Sequence, residues 1–275
     1  MSTLLIVALG AFAGLTVFLG LPFARLKNLP NSVQAFLNAC ATGILIFLFY
    51  DVISKASEPL NEAIIPLQQG KGSVGSFLLN VVVFVAGLGL GLMGLVYFER
   101  WFIRRTKEQA RVKNKGGEAA IVAPEALALM IAIGIGLHNF SEGLAIGQSA
   151  ASGAIQLAAV LIIGFGLHNM TEGFGIAAPL ARGSASWTFI GLVGLISGGP
   201  TFLGTLVGIV FHSEPVFIGC LTLAAGAIIY IINELLDIGR KFEWKLKTPE
   251  VIMWGVLLGF LVGYGTDLIV TWSGL

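Results

Sequence analysis

The sequence contains few charged residues. Of its 275 residues, 11% are Asp, Glu, Lys or Arg, whereas 56% are hydrophobic, and the mean hydropathy is +0.90. A soluble domain carries roughly 25% charged residues, so this composition excludes an ordinary water-soluble protein. The net charge is only +1, and the basic stretch 99–115 is interpreted as a membrane-topology signal rather than a nucleic-acid arm. We therefore predict a membrane protein whose partner is the lipid bilayer and not a nucleic acid.

Cysteine is also scarce. Cys40 and Cys220 lie in apolar segments without CxxC spacing, which argues against a disulfide framework or a thiolate metal site. The chain lacks a GxxxxGK[ST] motif, so ATP is not expected to be a direct energy source within this polypeptide. The N-terminus has no basic region before its first apolar run, so this run is expected to be a retained span. No cofactor is expected.

Apolar runs of about 20 residues predict transmembrane helices. Eight such runs place the chain in an all-α integral membrane class, with one bundle domain over residues 1–275. The predicted spans are 3–22, 33–53, 76–98, 124–149, 154–180, 187–211, 215–238 and 250–272.

The distribution of Lys and Arg predicts the orientation of these spans. All of these residues except Lys55 and Lys71 fall in the connections after spans one, three, five and seven. The positive-inside rule makes those connections cytoplasmic, including the loop 99–123, and places both termini outside. The segment 55–73, with two prolines and a Gly-Lys-Gly end, is predicted to be an external loop, either irregular or with a short interfacial helix.

Glycine is abundant, with 37 residues. The first span contains Gly10, Gly14 and Gly20, and the last contains glycines at 255, 259 and 263. Small residues at such spacing allow helices to approach closely in lipid. They indicate helix packing, and they make a homodimer an open expectation.

One motif occurs twice, about thirty residues apart. His138-Asn139-Phe-Ser-Glu142-Gly lies in span four and His168-Asn169-Met-Thr-Glu172-Gly in span five. In a helix, residues four apart share a face, and ionisable residues inside a membrane indicate function by default. The turn near 150–153 is short, so the two helices are expected to be antiparallel neighbours. His138 would then lie across from Glu172, in an inverted-repeat-like site near the membrane midplane.

Two imidazoles, two carboxylates and two amides suit a divalent transition metal. Two ionised glutamates with neutral histidines carry −2, which such an ion cancels, whereas unpaired buried carboxylates are costly. Transport of this ion is the first hypothesis. The alternative is a membrane-embedded metal-dependent hydrolase that uses the same ligands, but no spare mid-membrane carboxylate is present to act as its base.

Other polar residues lie near the ends of spans. Asp51 closes span two on the outer side, and Asn233 with Glu234 lies near the inner end of span seven. We interpret these residues, together with Ser197 and Thr201 of span six, as candidates for the mouths of a pathway. A role at the membrane interface is the alternative for Asp51 and Glu234. For Asp267, near the end of span eight, the interface is favoured.

The eight spans and the duplicated His-Asn-x-x-Glu-Gly motif resemble the ZIP (Zrt-, Irt-like) family of metal transporters, and especially its prokaryotic GufA-like branch. The resemblance implies uptake of divalent metals into the cytoplasm, chiefly Zn2+ and also Fe2+, Mn2+ or Cd2+, across the plasma or inner membrane by a protein that is not an enzyme. It implies that six residues form the transport site: His138, Asn139, Glu142, His168, Asn169 and Glu172. It also associates Asn233 and Glu234 with the cytoplasmic exit.

The sequence departs from the family pattern in three places. Many members have Ser-Gly-x-x-Glu-Pro in span six, where the Glu helps hold a second metal, but here the segment from Ser197 to Thr201 places Thr201 at that position. This argues against a full binuclear centre. The usual Pro of the duplicated motif is Ser141 or Thr171, and a His-rich cytoplasmic loop is absent.

Overall fold

A computed structural model describes residues 2–25, 30–112, 124–151, 155–180, 185–210, 213–246 and 249–272. Within these ranges the regular structure is helical. The α-helices are α1 (Thr3–Leu15), α2 (Val17–Gly20), α3 (Asn31–Gln68), α4 (Val74–Val112), α5 (Pro124–Ala151), α6 (Ile155–Ala177), α7 (Trp187–Val210), α8 (Glu214–Leu246) and α9 (Pro249–Trp272). Two 3-10 turns, Leu21–Arg25 and Ala178–Leu180, follow α2 and α6.

Local sequence explains where several helices begin. Ser2 caps α1, because its side chain accepts a hydrogen bond from the Leu5 amide at 3.3 Å. Ser186 caps α7 in the same way, through the Phe189 amide at 3.1 Å. These serines satisfy amides that have no partner within the helix. Pro124 and Pro249 open α5 and α9, a position where the missing N–H of proline costs nothing.

Six helical segments in the described part of the chain are long and apolar enough to cross a membrane. They are Thr3–Arg25, Asn31–Gln68, Val74–Phe98, Pro124–Ala151, Trp187–Val210 and Glu214–Asp237. Each coincides with a predicted span, which is the pattern of a multi-pass membrane protein. The other two predicted spans are also occupied by helices, α6 and α9, and α9 contains a shorter apolar stretch, Pro249–Gly265.

Two predicted connections differ from the structure. The external loop predicted at 55–73 is wrong for most of its length, because α3 continues to Gln68 with Pro59 and Pro66 inside it. Each proline removes one backbone hydrogen bond, and the surrounding Ala, Glu and Leu residues are good helix formers. The cytoplasmic loop predicted at 99–123 is likewise helical up to Val112, and residues 113–123 lie outside the described residues.

The helices pack as two groups. We call α1, α2, α5, α6 and α7 the first helix group, in which α5 packs most extensively on α7 and α6 packs on α1, α2 and α5. We call α3, α4, α8 and α9 the second helix group, in which α3 packs on α8 and α9, and α4 packs on α8. The contacts between the groups, chiefly α5 with α8 and α6 with α3 and α9, are smaller than those of the α5–α7, α4–α8 and α3–α9 pairs.

Glycines explain why each group is tightly packed. A Cβ added at Gly143 on α5 would collide with the backbone carbonyl of Thr201 on α7, and one at Gly14 on α1 would collide with the carbonyl of Gly198. In the second group, a Cβ at Gly43 on α3 would collide with the carbonyl of Val256 on α9. These helices approach backbone to backbone, as small residues permit in lipid.

The boundary between the groups is different. Gly134 on α5 is the described glycine at this boundary for which an added Cβ would make a short contact with the other group. That Cβ would meet side chains, the Ile231 Cδ1 at 2.9 Å and the Ala227 Cβ at 3.4 Å, and not backbone. At this position the two groups therefore meet through side chains, and the end of Ile231 is flexible.

The predicted glycine packing is confirmed inside the chain. Gly10 and Gly14 face α7, and Gly20 faces α6. Gly259 of α9 lies against the backbone of Cys40 on α3, and Gly255 and Gly263 also face α3. Because these glycine faces are covered by helices of the same chain, they give no support to a homodimer.

Candidate metal site

The duplicated motif lies where α5 and α6 meet. The His138 Nε2 is 3.2 Å from the Glu142 Oε1 on the same helix and 3.9 Å from the Glu172 Oε1 on α6. All three side chains are buried, with exposures of 0% for His138, 3% for Glu142 and 0% for Glu172. His138 thus lies across from Glu172, as the antiparallel arrangement predicts.

Asn139 connects this cluster to α7. Its Nδ2 donates to the Glu172 Oε2 at 3.1 Å and to the Ser197 carbonyl at 3.0 Å. Asn169 plays a matching part on α6, where its Nδ2 donates to the Ala13 carbonyl of α1 at 3.0 Å. Each amide therefore anchors its helix to a neighbour within the first helix group.

These amide bonds leave oxygen atoms available. The Oδ1 atoms of Asn139 and Asn169 and the Oε2 of Glu142 are buried without hydrogen-bond partners in the described part of the chain. Buried polar atoms are almost always satisfied, so each such oxygen requires an explanation. Binding of a cation is the explanation that fits oxygen acceptors beside an imidazole.

The neighbouring helices are shaped to this site. Pro200 within α7 lacks an N–H, so the Ile196 carbonyl loses its usual helical partner. Gly136 of α5 lies against that carbonyl, where a Cβ would collide with it. The first span is interrupted at Thr16, whose one hydroxyl proton is shared between the Ala13 carbonyl at 2.7 Å and the Gly166 carbonyl of α6 at 2.6 Å. Thr16 thus ties α1 to α6, the helix that carries Glu172.

The cluster does not form a ready metal site. Among the described residues, no group of three or more His, Cys, Asp or Glu side chains is arranged to hold a metal ion. His138 and Glu142 contact each other at 3.2 Å, so an ion would have to replace this contact. The chemistry of the donors still favours a divalent ion, because two carboxylates at 0% to 3% exposure need compensating charge.

The structure joins four of the six predicted ligand residues, His138, Asn139, Glu142 and Glu172, by side-chain contacts. Asn169 is buried on α6 and its bond runs to α1. The side chain of His168 lies outside the described residues, although its backbone belongs to α6. Ser197 and Thr201 of α7 are both fully buried. The Ser197 carbonyl accepts the hydrogen bond from Asn139, so Ser197 borders the His138 cluster, and its role in a pathway stays a prediction. Thr201 offers a buried hydroxyl without a hydrogen-bond partner in the described part of the chain.

Three residues predicted at the pathway mouths, Asp51, Asn233 and Glu234, lie on the second helix group. Asp51 of α3 is 13% exposed and pairs with Lys55, with 2.6 Å between the carboxylate Oδ2 and the Nζ. On α8, Glu234 is half-buried and Asn233 is exposed. The negative charge of Asp51 acts on Glu172 of α6 across the boundary between the two groups.

The sequence does not single out Lys55, because the prolines of segment 55–73 predict a loop there. The ammonium of Lys55 interacts electrostatically with Asp51, with Glu142 of α5 and with Asp267 of α9. It also lies 5.4 Å from the centre of the Phe165 ring on α6. The spacing of four residues between Asp51 and Lys55 was a signal that could have revealed this pair.

A helical membrane bundle that buries His, Glu and Asn side chains around one point defines a class of integral membrane proteins that handle cations. A family model described as "ZIP Zinc transporter" matches residues 104–265. The chain belongs to the ZIP zinc transporter family. Members of this family are membrane transporters rather than enzymes, and membership implies transport of divalent metal ions. A comparison with curated proteins found no match.

Proposed function

We propose that this protein carries divalent transition-metal ions, Zn2+ first and also Fe2+, Mn2+ or Cd2+, into the cytoplasm. The transport site consists of His138, Asn139, Glu142, Asn169 and Glu172, with His168 as a sixth ligand. A bound ion would draw its ligands from the imidazole, carboxylate and amide oxygen atoms of two helices, and Asn139 would hold Glu172 in position through its 3.1 Å hydrogen bond. No resident cofactor is required, because the metal is the substrate.

The observation that carries this proposal is a contact between buried side chains. The His138 Nε2 lies 3.2 Å from the Glu142 Oε1 and 3.9 Å from the Glu172 Oε1. A hydrophobic bundle gains no stability from two buried carboxylates, because their desolvation exceeds the gain from a neutral imidazole. A +2 ion cancels the charge of the two glutamates. It also supplies a partner for the buried oxygens of Asn139 and Asn169.

The two helix groups support an alternating-access mechanism. The ligands belong to α5 and α6 of the first group, which is joined internally by glycine contacts to backbone. At Gly134, on the boundary with the second group, the contacts are to side chains instead. We expect the first group to move as one body against the second. The ion would enter past Asp51 and leave past Glu234 and Asn233. All three residues lie on helices of the second group.

The topology of the proposal follows the positive-inside rule. It has eight spans in an inverted-repeat-like bundle, both termini outside the cytoplasm, and residence in the plasma or inner membrane. The duplicated motif and the absent His-rich loop favour the GufA-like prokaryotic branch within the family.

A metal-dependent hydrolase is the rejected alternative. It would need a general base in addition to the metal ligands and an open coordination position for water. In the described residues around His138 the carboxylates are Glu142 and Glu172, which are already assigned to the metal. Family membership also disfavours an enzyme.

Zinc flux into proteoliposomes loaded with a fluorescent zinc indicator tests the proposal. The wild type should show saturable influx, and the double variant Glu142→Ala with Glu172→Ala should show none while keeping its elution profile in detergent. Glu250, an exposed residue at the start of α9, provides the matched control, because Glu250→Ala should transport normally. Equal flux in the wild type and the double variant would refute the site.

A further inference from the structure

Lys55 carries a positive charge near the cluster of Glu142 and Glu172, where we propose that the transported metal ion binds. It lies on α3 of the second helix group, and its side chain is 37% exposed. It is therefore neither sealed in the core nor free in solvent. A positive charge in this place opposes entry of the transported ion, so its presence requires an explanation.

Two contacts hold the Lys55 side chain. Its Nζ is 2.6 Å from the Asp51 Oδ2, one helical turn earlier on α3. On its other side the ammonium lies 5.4 Å from the centre of the Phe165 ring, a cation–π distance. Phe165 is buried on α6 of the first group, so the Lys55 ammonium bridges the boundary between the two groups.

The charges around Lys55 connect it with the candidate metal site. Its ammonium interacts with Glu142, a proposed ligand, as well as with Asp51 and Asp267. The positive charge of Lys55 also acts on His138. Lys55 is thus electrostatically coupled to the ligands without belonging to them, through charges from α3, α5 and α9.

We infer that Lys55 is a built-in cation at the mouth of the pathway, which sets the apparent affinity for the transported metal. Its ammonium balances Asp51 and occupies the approach to Glu142 when no ion is present. An entering divalent ion has to pass this charge, which stays paired with Asp51. This inference rests on the proposed function, because it assumes that metal ions reach the site past Asp51.

The expected size of the effect follows from Coulomb's law. In water, a divalent ion within about 4 to 8 Å of an ammonium is disfavoured by about five- to thirtyfold in local concentration. Lys55→Gln removes this penalty and leaves Asp51 unbalanced, so the KM for zinc should fall by about that factor. Asp51→Asn removes the nearest of the carboxylates that offset the Lys55 charge, so the KM should rise. The shifts should shrink at high ionic strength, because salt screens partly exposed charges.

The test measures the KM and kcat of zinc influx in proteoliposomes at low and high salt. Lys55→Gln should lower KM and change kcat by less, Lys55→Arg should keep the wild-type KM, and the Asp51→Asn/Lys55→Gln double variant should return close to it. Lys71→Gln provides the matched control, because Lys71 is exposed beyond the end of α3 and should leave KM unchanged.

Several results would overturn the inference. An unchanged or raised KM in Lys55→Gln contradicts it, and so does a double variant that keeps the raised KM of Asp51→Asn, since that result would make Asp51 a direct contact for metal. If Lys55→Gln does not fold, a KM that stays constant in Asp51→Asn overturns the inference on its own. Absence of wild-type flux contradicts the proposed function instead, so the two failures are distinguishable.

Discussion

Substitution of Glu172 by Gln separates the charge of this side chain from its shape. Glu172 is fully buried, and its Oε2 accepts the Asn139 Nδ2 at 3.1 Å. The amide oxygen of a glutamine can accept the same hydrogen bond. The protein should therefore fold, but it should lose one of the two negative charges that a +2 ion cancels.

The loss in zinc affinity can be estimated. An interaction with a charged group contributes on the order of 1.5–3 kcal/mol when buried, which corresponds to about a 10- to 150-fold increase in Kd. Glu142, at 3% exposure, would remain as the single buried carboxylate near His138. The bound ion would then keep an uncompensated positive charge in a low-dielectric environment.

Equilibrium binding of radioactive zinc to the purified protein in detergent measures this effect. A thermal melt of the same samples shows that the fold is retained. Glu250→Gln is the matched control, because the same substitution on the exposed start of α9 should leave both Kd and melting temperature unchanged. If Glu172→Gln binds zinc with the wild-type Kd, Glu172 is not a ligand and the reasoning is refuted.

Three further predictions concern packing and stoichiometry. Gly143→Ala should lower the melting temperature, because overpacking against the Thr201 carbonyl costs about 1–3 kcal/mol, whereas Gly89→Ala, with open space around it, should not; equal melts would contradict the tight α5–α7 contact. The melting temperature of Gly134→Ala should lie within a few degrees of the wild type, but its zinc flux should be slower. The added Cβ would press on the flexible end of Ile231 at the boundary between the groups, so undiminished flux would argue against movement there. Equilibrium dialysis with elemental analysis should find a single zinc per chain, because Thr201 offers a hydroxyl where a second metal needs a carboxylate, and two bound ions would contradict this.

Part of the fold could be predicted because a lipid environment restricts the chain strongly. Backbone groups in a bilayer must be satisfied internally, so each long apolar run predicts a helix, and every predicted span coincides with one. The ends of the helices were harder to predict. The helix α3 continues through Pro59 and Pro66 to Gln68, because a proline weakens a helix locally without deciding where it ends.

The candidate site could be predicted in its residue types and in one pairing. The duplicated motif placed His138 across from Glu172, and the structure puts their side-chain atoms 3.9 Å apart. The hydrogen bond from Asn139 to the Ser197 carbonyl of α7 could not be predicted, because the sequence does not say which helix covers the other face of α5. The position of Lys55 could not be predicted either, because Pro59 and Pro66 predict a loop where α3 continues.

The sequence by itself determined that this is a membrane protein with a duplicated His/Asn/Glu motif, because hydropathy and the cost of buried charge act on each segment separately. Only the tertiary structure decided how the helices are partnered. It pairs α5 with α7 and α3 with α9, and neither pair is consecutive in the chain. The spacing of glycines shows that one face of a helix carries small residues. Which neighbouring helix packs against that face depends on the shapes of all the helices in the bundle. The division into two helix groups, and the position of Lys55 between them, follow from that packing.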